Sequence, residues 1–171
     1  MKFRVAKYGD LNQIGLMIDE VLESGAGTGL NWTKEYPTIK DFEKDLKNGD
    51  LFVMESEDTE YNIENNIVGA VVLNSSEDIN YKKLKWSNSQ KALVIHRLMV
   101  SPKFSRSGNG KRLLKFIEEE CRRRKLSHIR LDTNTENIRA KRLYIGSGYE
   151  EVGVINLQGK DGDFICLEKI L

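Results

Sequence analysis

Ser105-Arg106-Ser107-Gly108-Asn109-Gly110-Lys111 lies between a run that reads as a strand and one that reads as an amphipathic helix. Before it, residues 92–100 are rich in β-branched and apolar side chains and stop at Ser101-Pro102, as a strand end does. After it, Leu113, Leu114, Ile117, Cys121 and Leu126 recur near the helical period, with charged residues between them. A helix is therefore expected to start at or just after Gly110. Gly108 and Gly110 tolerate positive φ and carry no side chain to block a ligand, so successive backbone N–H groups can point at a phosphate resting on the helix N-terminus.

Two familiar phosphate loops do not fit. A Walker A loop needs Gly where this chain has Ser105, and Ser or Thr where it has Arg112. A dinucleotide fingerprint needs a third Gly where Leu113 stands, and its strand comes late here. A plain Gly-rich turn from strand to helix remains the alternative reading of the loop taken alone.

Downstream, Asn137, Ala140, Leu143, Tyr144, Gly148 and Tyr149 complete a second pattern, Asn-x-x-Ala-x-x-Leu-Tyr-x-x-x-Gly-Tyr. The chain thereby resembles the GNAT family of N-acetyltransferases. In that family a strand, a Gln/Arg-x-x-Gly-x-Gly/Ala loop and a helix precede a strand and this second helix. The resemblance is tight over about residues 92–151 and looser elsewhere. Two departures stand out. Ser105 replaces the usual Gln or Arg, with Arg106 beside it to restore charge, and Asn109 replaces a residue that is usually apolar. An amide packed beneath a helix start must find a hydrogen bond or stay wet.

Composition bounds the rest. The 171 residues, 39% apolar and 31% charged, suit one acyltransferase-sized domain spanning 1–171. A formal net charge of +1 offers no field to recruit nucleic acid or an anionic membrane. The basic cluster Arg122-Arg123-Arg124-Lys125 reads instead as a helix C-terminus, balanced by Glu118 to Glu120 one turn earlier. Cys121 and Cys166 imply no disulfide framework, no Cys/His spacing suits zinc, and no metal is expected. Met1 to Lys7 alternates like a strand and lacks a signal peptide's apolar core, and no run has membrane-span length, so a cytoplasmic protein, monomeric or homodimeric, is expected.

In order, the elements read as strand, helix, helix, three strands, helix, strand, helix and two strands. Asp10 can cap the first helix, whose apolar face includes Leu11, Ile14, Ile18, Val21 and Leu22, and residues 24–29 break it. The second helix starts near Thr38 and ends at Gly49. Strands are expected at 51–55, 67–73, 93–100, 149–156 and 163–168, with a polar turn at 57–66 and a long polar connection at 74–90 that holds Tyr81 and Trp86. The fold class is α/β: a mixed, mostly antiparallel sheet of about seven strands with about four helices on both faces.

The resemblance also implies a ligand and roles. Acetyl-CoA would bind as cosubstrate, its pantetheine arm pairing with the backbone of Leu98, Met99 and Val100. Its pyrophosphate would rest on Ser105, Arg106, Ser107, Gly108, Asn109, Gly110 and Lys111. Asn137 and Ala140 would help hold the arm, and Tyr144 would give a proton to the departing thiolate. For the base that takes a proton from the amine, two candidates stay open. Asp132 stands twelve residues before Tyr144, where acetylases of protein N-termini carry a catalytic Glu; it also reads as a cap for the turn that follows. His96 titrates near neutral pH and sits on a strand lining the site. Trp32 and Tyr36 either wall the acceptor pocket or anchor their loop. The activity implied is N-acetylation of a small amine, an amino acid or a protein N-terminus. A non-catalytic acyl-CoA sensor and an α/β domain for another phosphate ligand are the alternatives.

Overall fold

The computed structural model describes residues 1–25, 28–57, 66–105 and 107–171. Most of the polar turn expected at 57–66, part of the helix-breaking stretch at 24–29, and Arg106 lie outside these residues. The elements follow the expected order: β1 (Lys2–Val5), α1 (Leu11–Gly25), α2 (Ile39–Lys47), β2 (Leu51–Glu55), β3 (Ile67–Asn74), β4 (Leu93–Val100), α3 (Asn109–Arg123), β5 (His128–Asn134), α4 (Ile138–Ile145), β6 (Glu150–Ile155) and β7 (Phe164–Ile170). The seven strands form a mixed sheet in the order β1-β2-β3-β4-β5-β7-β6, with β4 and β5 parallel. Two units divide the chain: Met1–Ala26, Trp32–Leu73 and His96–Leu113 make the first, and Gly27–Asn31, Asn74–Ile95 and Leu114–Leu171 the second. Strand β4 contributes to both.

In the first unit, β2 and β3 are buried almost throughout, which is why they read as continuous apolar runs rather than alternating ones. Leu51, Val53, Ala70 and Val72 turn one face toward Ile14, Met17 and Ile18 of α1 and Phe42 and Leu46 of α2. Side chains alternate along a strand, so Met54 faces the other way. There it and Leu113 of α3 both close on Gly69: a Cβ at that position would stand 3.4 Å from Met54 Cε and 3.6 Å from Leu113 Cδ2. Helix α2 begins as its sequence implies. Asp41 accepts from the backbone N–H of Thr38 at 2.7 Å and from its hydroxyl at 2.9 Å, closing the first turn.

Asp10 does something other than cap α1. It ends a 3-10 turn at Tyr8–Asp10, and its carboxylate accepts from Lys7 N–H at 2.6 Å and from both terminal nitrogens of Arg4 at 2.6 and 2.9 Å. Arg4 also reaches Glu55 at 2.7 Å, so a guanidinium fork joins β1, β2 and the turn before α1.

In the second unit, the parallel ladder pairs Leu93, Val94 and Ile95 of β4 with Ile129, Arg130 and Leu131 of β5. Strands β5 and β7 pair along their whole lengths, from His128↔Ile170 to Asn134↔Phe164. Strand β7 runs two residues past the expected end because these partners are available. A second apolar cluster gathers Tyr81, Ile155, Leu157, Phe164 and Cys166, with Leu84 and Trp86 against it. Beside it lies a buried polar network. His128 Nε2 meets Glu168 at 2.7 Å, Ser87 N–H donates to Glu168 at 3.1 Å, and Arg130 stacks on Trp86 with Cζ 4.4 Å from the ring centre. Arg130 also reaches Glu77 and the carbonyl of Asn88. The 74–90 stretch, read as a long polar connection, is thus held at Glu77, Tyr81, Trp86, Ser87 and Asn88.

Candidate active site

The sequence around Gly108 folds into the expected passage from strand to helix with one shift in boundary. A 3-10 turn at Pro102–Phe104 follows β4, and α3 starts at Asn109, a residue earlier than expected. Only Gly108 of the two glycines takes positive φ, at 75°, with nothing within 4 Å of where a Cβ would stand; Gly110 already has helical geometry. Arg112 N–H bonds the carbonyl of Gly108 at 3.1 Å, the first closed turn of α3. The N–H groups of Asn109, Gly110 and Lys111 precede it and, by helix geometry, have no carbonyl one turn back to bond. Free N–H donors at the positive end of a helix, here one of 15 residues, favour anions.

Asn109 resolves the question its amide raised. It is 2% exposed, its Nδ2 donates to the Phe104 carbonyl at 3.0 Å, and its Oδ1 accepts from Arg112 at 3.1 Å. The amide thus fastens the loop to the helix where the family places an apolar side chain. Ser105 closes the 3-10 turn through its N–H to Pro102 O, Ser107 and Lys111 are exposed, and Arg106 lies outside the described residues.

Strand β4 carries a feature that the sequence did not betray. Arg97 has φ 48°, a left-handed backbone in mid-strand, directly after the residues that pair with β5. A bulky residue adopts this conformation only when its surroundings hold it there. Arg97 Nη1 pairs with Asp45 at 2.6 Å, Nη2 donates to the Tyr36 hydroxyl at 3.0 Å, and the guanidinium lies 5.3 Å above the Tyr36 ring. Burial, together with the nearby Asp50 and Asp41 charges, outweighs Arg97 and leaves the Asp45 carboxyl above its usual range. His96, Leu98 and Val100 flank the kink half-buried, while Met99 points into the core of α1 and α2. Tyr36 is thereby held by Arg97, and Trp32 packs edge-on against Phe42 at 6.4 Å.

In the second unit, Asp132 and Tyr144 come from β5 and α4. Asp132 Oδ2 accepts from the hydroxyl of Tyr81 at 2.7 Å. Burial raises its carboxyl above the usual range, against the Tyr81 hydrogen bond and the charge of Lys160, which pull the other way. The alternative role for Asp132, capping the turn before α4, belongs to other residues: Asn134 accepts from Glu136 N–H at 2.9 Å and Asn137 from Ala140 N–H at 3.1 Å. Asn137 is thus the α4 N-cap, and Ala140 supplies the capped N–H.

Tyr144 is 6% exposed. Burial, reinforced by the charge of Asp132, drives its phenol far above the usual value, so the hydroxyl stays protonated at any physiological pH. It is held from both sides of the α4 C-terminus. Tyr149 N–H bonds the Tyr144 carbonyl at 3.1 Å across the turn at Gly148, whose φ is 83°. Lys169, paired with Glu118, donates to the Ser147 carbonyl at 2.7 Å.

Both cysteines are buried free thiols; burial lifts Cys121, and burial with the charges of Asp132 and Asp78 pushes Cys166 up to about 12. Tyr81 and Arg97 make contacts that sequence reasoning passed over. The only signal for Tyr81 was an aromatic pair inside a polar stretch, and for Arg97 there was none.

A mixed seven-stranded sheet, with a helix after β4 and another after β5, makes this an α/β protein. Residues 22–149 match the Acetyltransferase (GNAT) family, and the chain belongs to that family. Solved structures agree in fold. A GNAT-family acetyltransferase from Streptococcus agalactiae superposes with a TM-score of 0.85 at 24% identity, covering 99% of this chain and 95% of that one. The ribosomal-protein-alanine N-acetyltransferase of Brucella melitensis gives 0.73 at 19% identity over 100% of both chains. The acetyltransferase yncA of Salmonella typhimurium, solved with its cofactor acetyl-CoA, gives 0.70 at 14% identity, covering 100% of this chain and 94% of that one. No curated protein matches the sequence. Among the described residues, no helix is long and apolar enough to cross a membrane.

Proposed function

We propose that this protein is an N-acetyltransferase that moves the acetyl group of acetyl-CoA to a primary amine by direct attack in a ternary complex. The acceptor class is a small amine, an amino acid or a protein N-terminus, the last in keeping with the Brucella enzyme's name. The observation that carries the reading is the pair on β5 and α4. A carboxyl whose proton affinity is raised and a phenol that stays protonated lie close enough for the charge of one to act on the other. Two groups with proton affinities held apart suit a base and an acid in one reaction.

An ammonium acceptor of pKa near 10.4 is neutral to only about one part in a few thousand at pH 7. Asp132 takes the ammonium proton, leaving the lone pair on nitrogen to attack the thioester carbonyl carbon. The C–S bond then breaks with its electron pair going to sulfur, the Tyr144 hydroxyl gives that sulfur its proton, and the surplus proton on the new amide nitrogen passes to the Tyr144 phenolate, which restores the hydroxyl. Backbone groups of Leu98, Met99 and Val100 hold the pantetheine arm, helped by Asn137 and Ala140. The α3 seat formed by Ser105, Ser107, Gly108, Asn109, Gly110 and Lys111, with Arg106, receives the pyrophosphate. Trp32 and Tyr36 are assigned to the acceptor side. The high proton affinities of both thiols support direct attack over a cysteine-bound acetyl intermediate.

Calorimetric titration with acetyl-CoA tests the reading, repeated on Gly110→Asp. The substitution puts a carboxylate on the first turn of α3, where the helix tolerates it but a phosphate does not. Binding near micromolar in the wild type, about −8 kcal/mol, and lost in the folded variant supports the cradle. CoA release with an amine panel then separates an enzyme from a sensor, and absence of wild-type binding overturns both.

A further inference from the structure

We infer that Tyr81 is a positioning residue for Asp132: its phenol orients the carboxylate, stabilises its charged form and leaves Oδ1 as the oxygen that receives the acceptor's proton. The inference rests on the proposed role of Asp132 as base.

Tyr81 is built to hold that position. Its side chain is 1% exposed and lies in the cluster of Ile155, Leu157, Phe164 and Cys166. The ring tilts against Trp86 with centroids 5.1 Å apart, and Trp86 Nε1 donates back to the Tyr81 carbonyl at 2.9 Å. The 3-10 turn Ile79–Lys83 that carries it is fixed at its start, where Asp78 accepts from Asn80 N–H at 2.8 Å and Asn80 donates to the Asn156 carbonyl at 2.8 Å. Past Trp86, Ser87 is bound to Glu168, and Arg130 covers the indole. A phenol so confined donates to the Asp132 carboxylate at 2.7 Å.

The chemistry of the pair explains why a buried phenol suits the task. Burial first, then the charge of Asp132, raises the Tyr81 phenol well above its usual value, so it remains a donor throughout the range in which an amine acetylase works. A hydrogen bond donated to the charged form of an acid favours that form. It offsets part of the burial that lifts the Asp132 carboxyl and so favours the ionised form, the one able to accept a proton. The other groups that act on Asp132 are Lys160, from the turn between β6 and β7, and Asp78, at the start of the 3-10 turn. Cys166, opposite it in the β5–β7 register, and Tyr144 on α4 feel its charge in turn.

The test compares the pH profile of turnover, on the amine identified by the panel, for wild type, Tyr81→Phe, Asp132→Asn and a protein with 3-fluorotyrosine placed at position 81. Asp132→Asn removes the acidic limb if Asp132 is the base. Tyr81→Phe keeps the ring and removes the donor, so the limb moves to higher pH and turnover at pH 6 falls about tenfold. Fluorotyrosine, a stronger donor of nearly the same shape, moves the limb to lower pH. Opposite shifts with unchanged melting temperatures support positioning, since a packing role cannot change sign. A 13C titration of the Asp132 carboxyl in wild type and Tyr81→Phe reads the same coupling without turnover. A limb unchanged by Tyr81→Phe but removed by Asp132→Asn overturns the Tyr81 inference alone. A limb retained in Asp132→Asn overturns the assignment of the base and the inference with it.

Discussion

The ring of Tyr144 meets that of Tyr149 edge to face, with centroids 5.7 Å apart and planes at 63°. The contact fixes the plane of the proposed acid through a residue of the same motif, five positions on. The ring therefore keeps its place when the hydroxyl is removed. Tyr144→Phe is expected to lower turnover about 100-fold, the scale of a lost general acid, while acetyl-CoA affinity changes by less than about twofold. CoA-release kinetics and calorimetry check this, and equal turnover in both proteins removes Tyr144 from the mechanism.

Tyr149 offers a contrasting substitution. Its hydroxyl is buried without a hydrogen-bond partner among the described residues. Burial, helped by Tyr144, Glu118 and Cys121, pushes that phenol far up, and Lys169 lies 5.6 Å from the ring centre. An unpaired buried hydroxyl costs about 1–3 kcal/mol of desolvation. Tyr149→Phe is therefore expected to leave the melting temperature unchanged or raise it. A fall of several degrees in a thermal melt contradicts this.

Asn109 predicts the reverse. Truncation to Ala leaves the Phe104 carbonyl without its donor and frees Arg112 from its acceptor. A stability loss of about 1–2 kcal/mol is expected in urea denaturation, with weaker acetyl-CoA binding because the loop is no longer fastened to α3. Unchanged affinity at reduced stability separates the structural role from the ligand seat.

The Arg4 fork carries a pH signature. Burial lifts the Asp10 carboxyl, but the Arg4 hydrogen bond, the Lys7 N–H and their charges outweigh it and hold the group below its usual value. For Glu55 the Arg4 hydrogen bond dominates in the same direction. A folded-state value below the unfolded one gives stability that is complete above the unfolded carboxyl range, near pH 4, and is lost as pH falls through the folded value. Asp10→Asn is expected to cost about 3 kcal/mol at pH 7, and the gap to wild type should close as the solution is acidified. Denaturation curves across that range measure it, and a gap independent of pH rules out the ion pair as its source.

Much of this fold was written in local pattern. The apolar runs of β2 and β4 end where the strands end, because a strand buried on both faces has few polar interruptions and Ser101-Pro102 stops the second. Thr38 with Asp41 marked the start of α2 through a capping exchange that needs only neighbours. The boundaries that shifted depended on distant partners. Helix α3 gains Asn109 because its amide finds Phe104 O and Arg112, and β7 extends because His128 offers a ladder partner. Asp10 reads as a cap until Arg4 and Glu55, brought in by β1 and β2, claim the same fork.

The same division holds at the site. The sequence alone determined the order of elements and the glycine-opened start of α3, since these follow from periodicity and turn chemistry, while the family resemblance singled out Tyr144 and left Asp132 and His96 as candidate bases. Only the tertiary structure decided their environments. Tyr81 is paired with a carboxylate 51 residues away, and Arg97 is held in left-handed backbone by Asp45 and Tyr36 from another stretch of chain. Local pattern records what a residue prefers among its neighbours. A buried hydrogen bond, a desolvated carboxyl and a strained backbone depend on what the rest of the chain brings beside it.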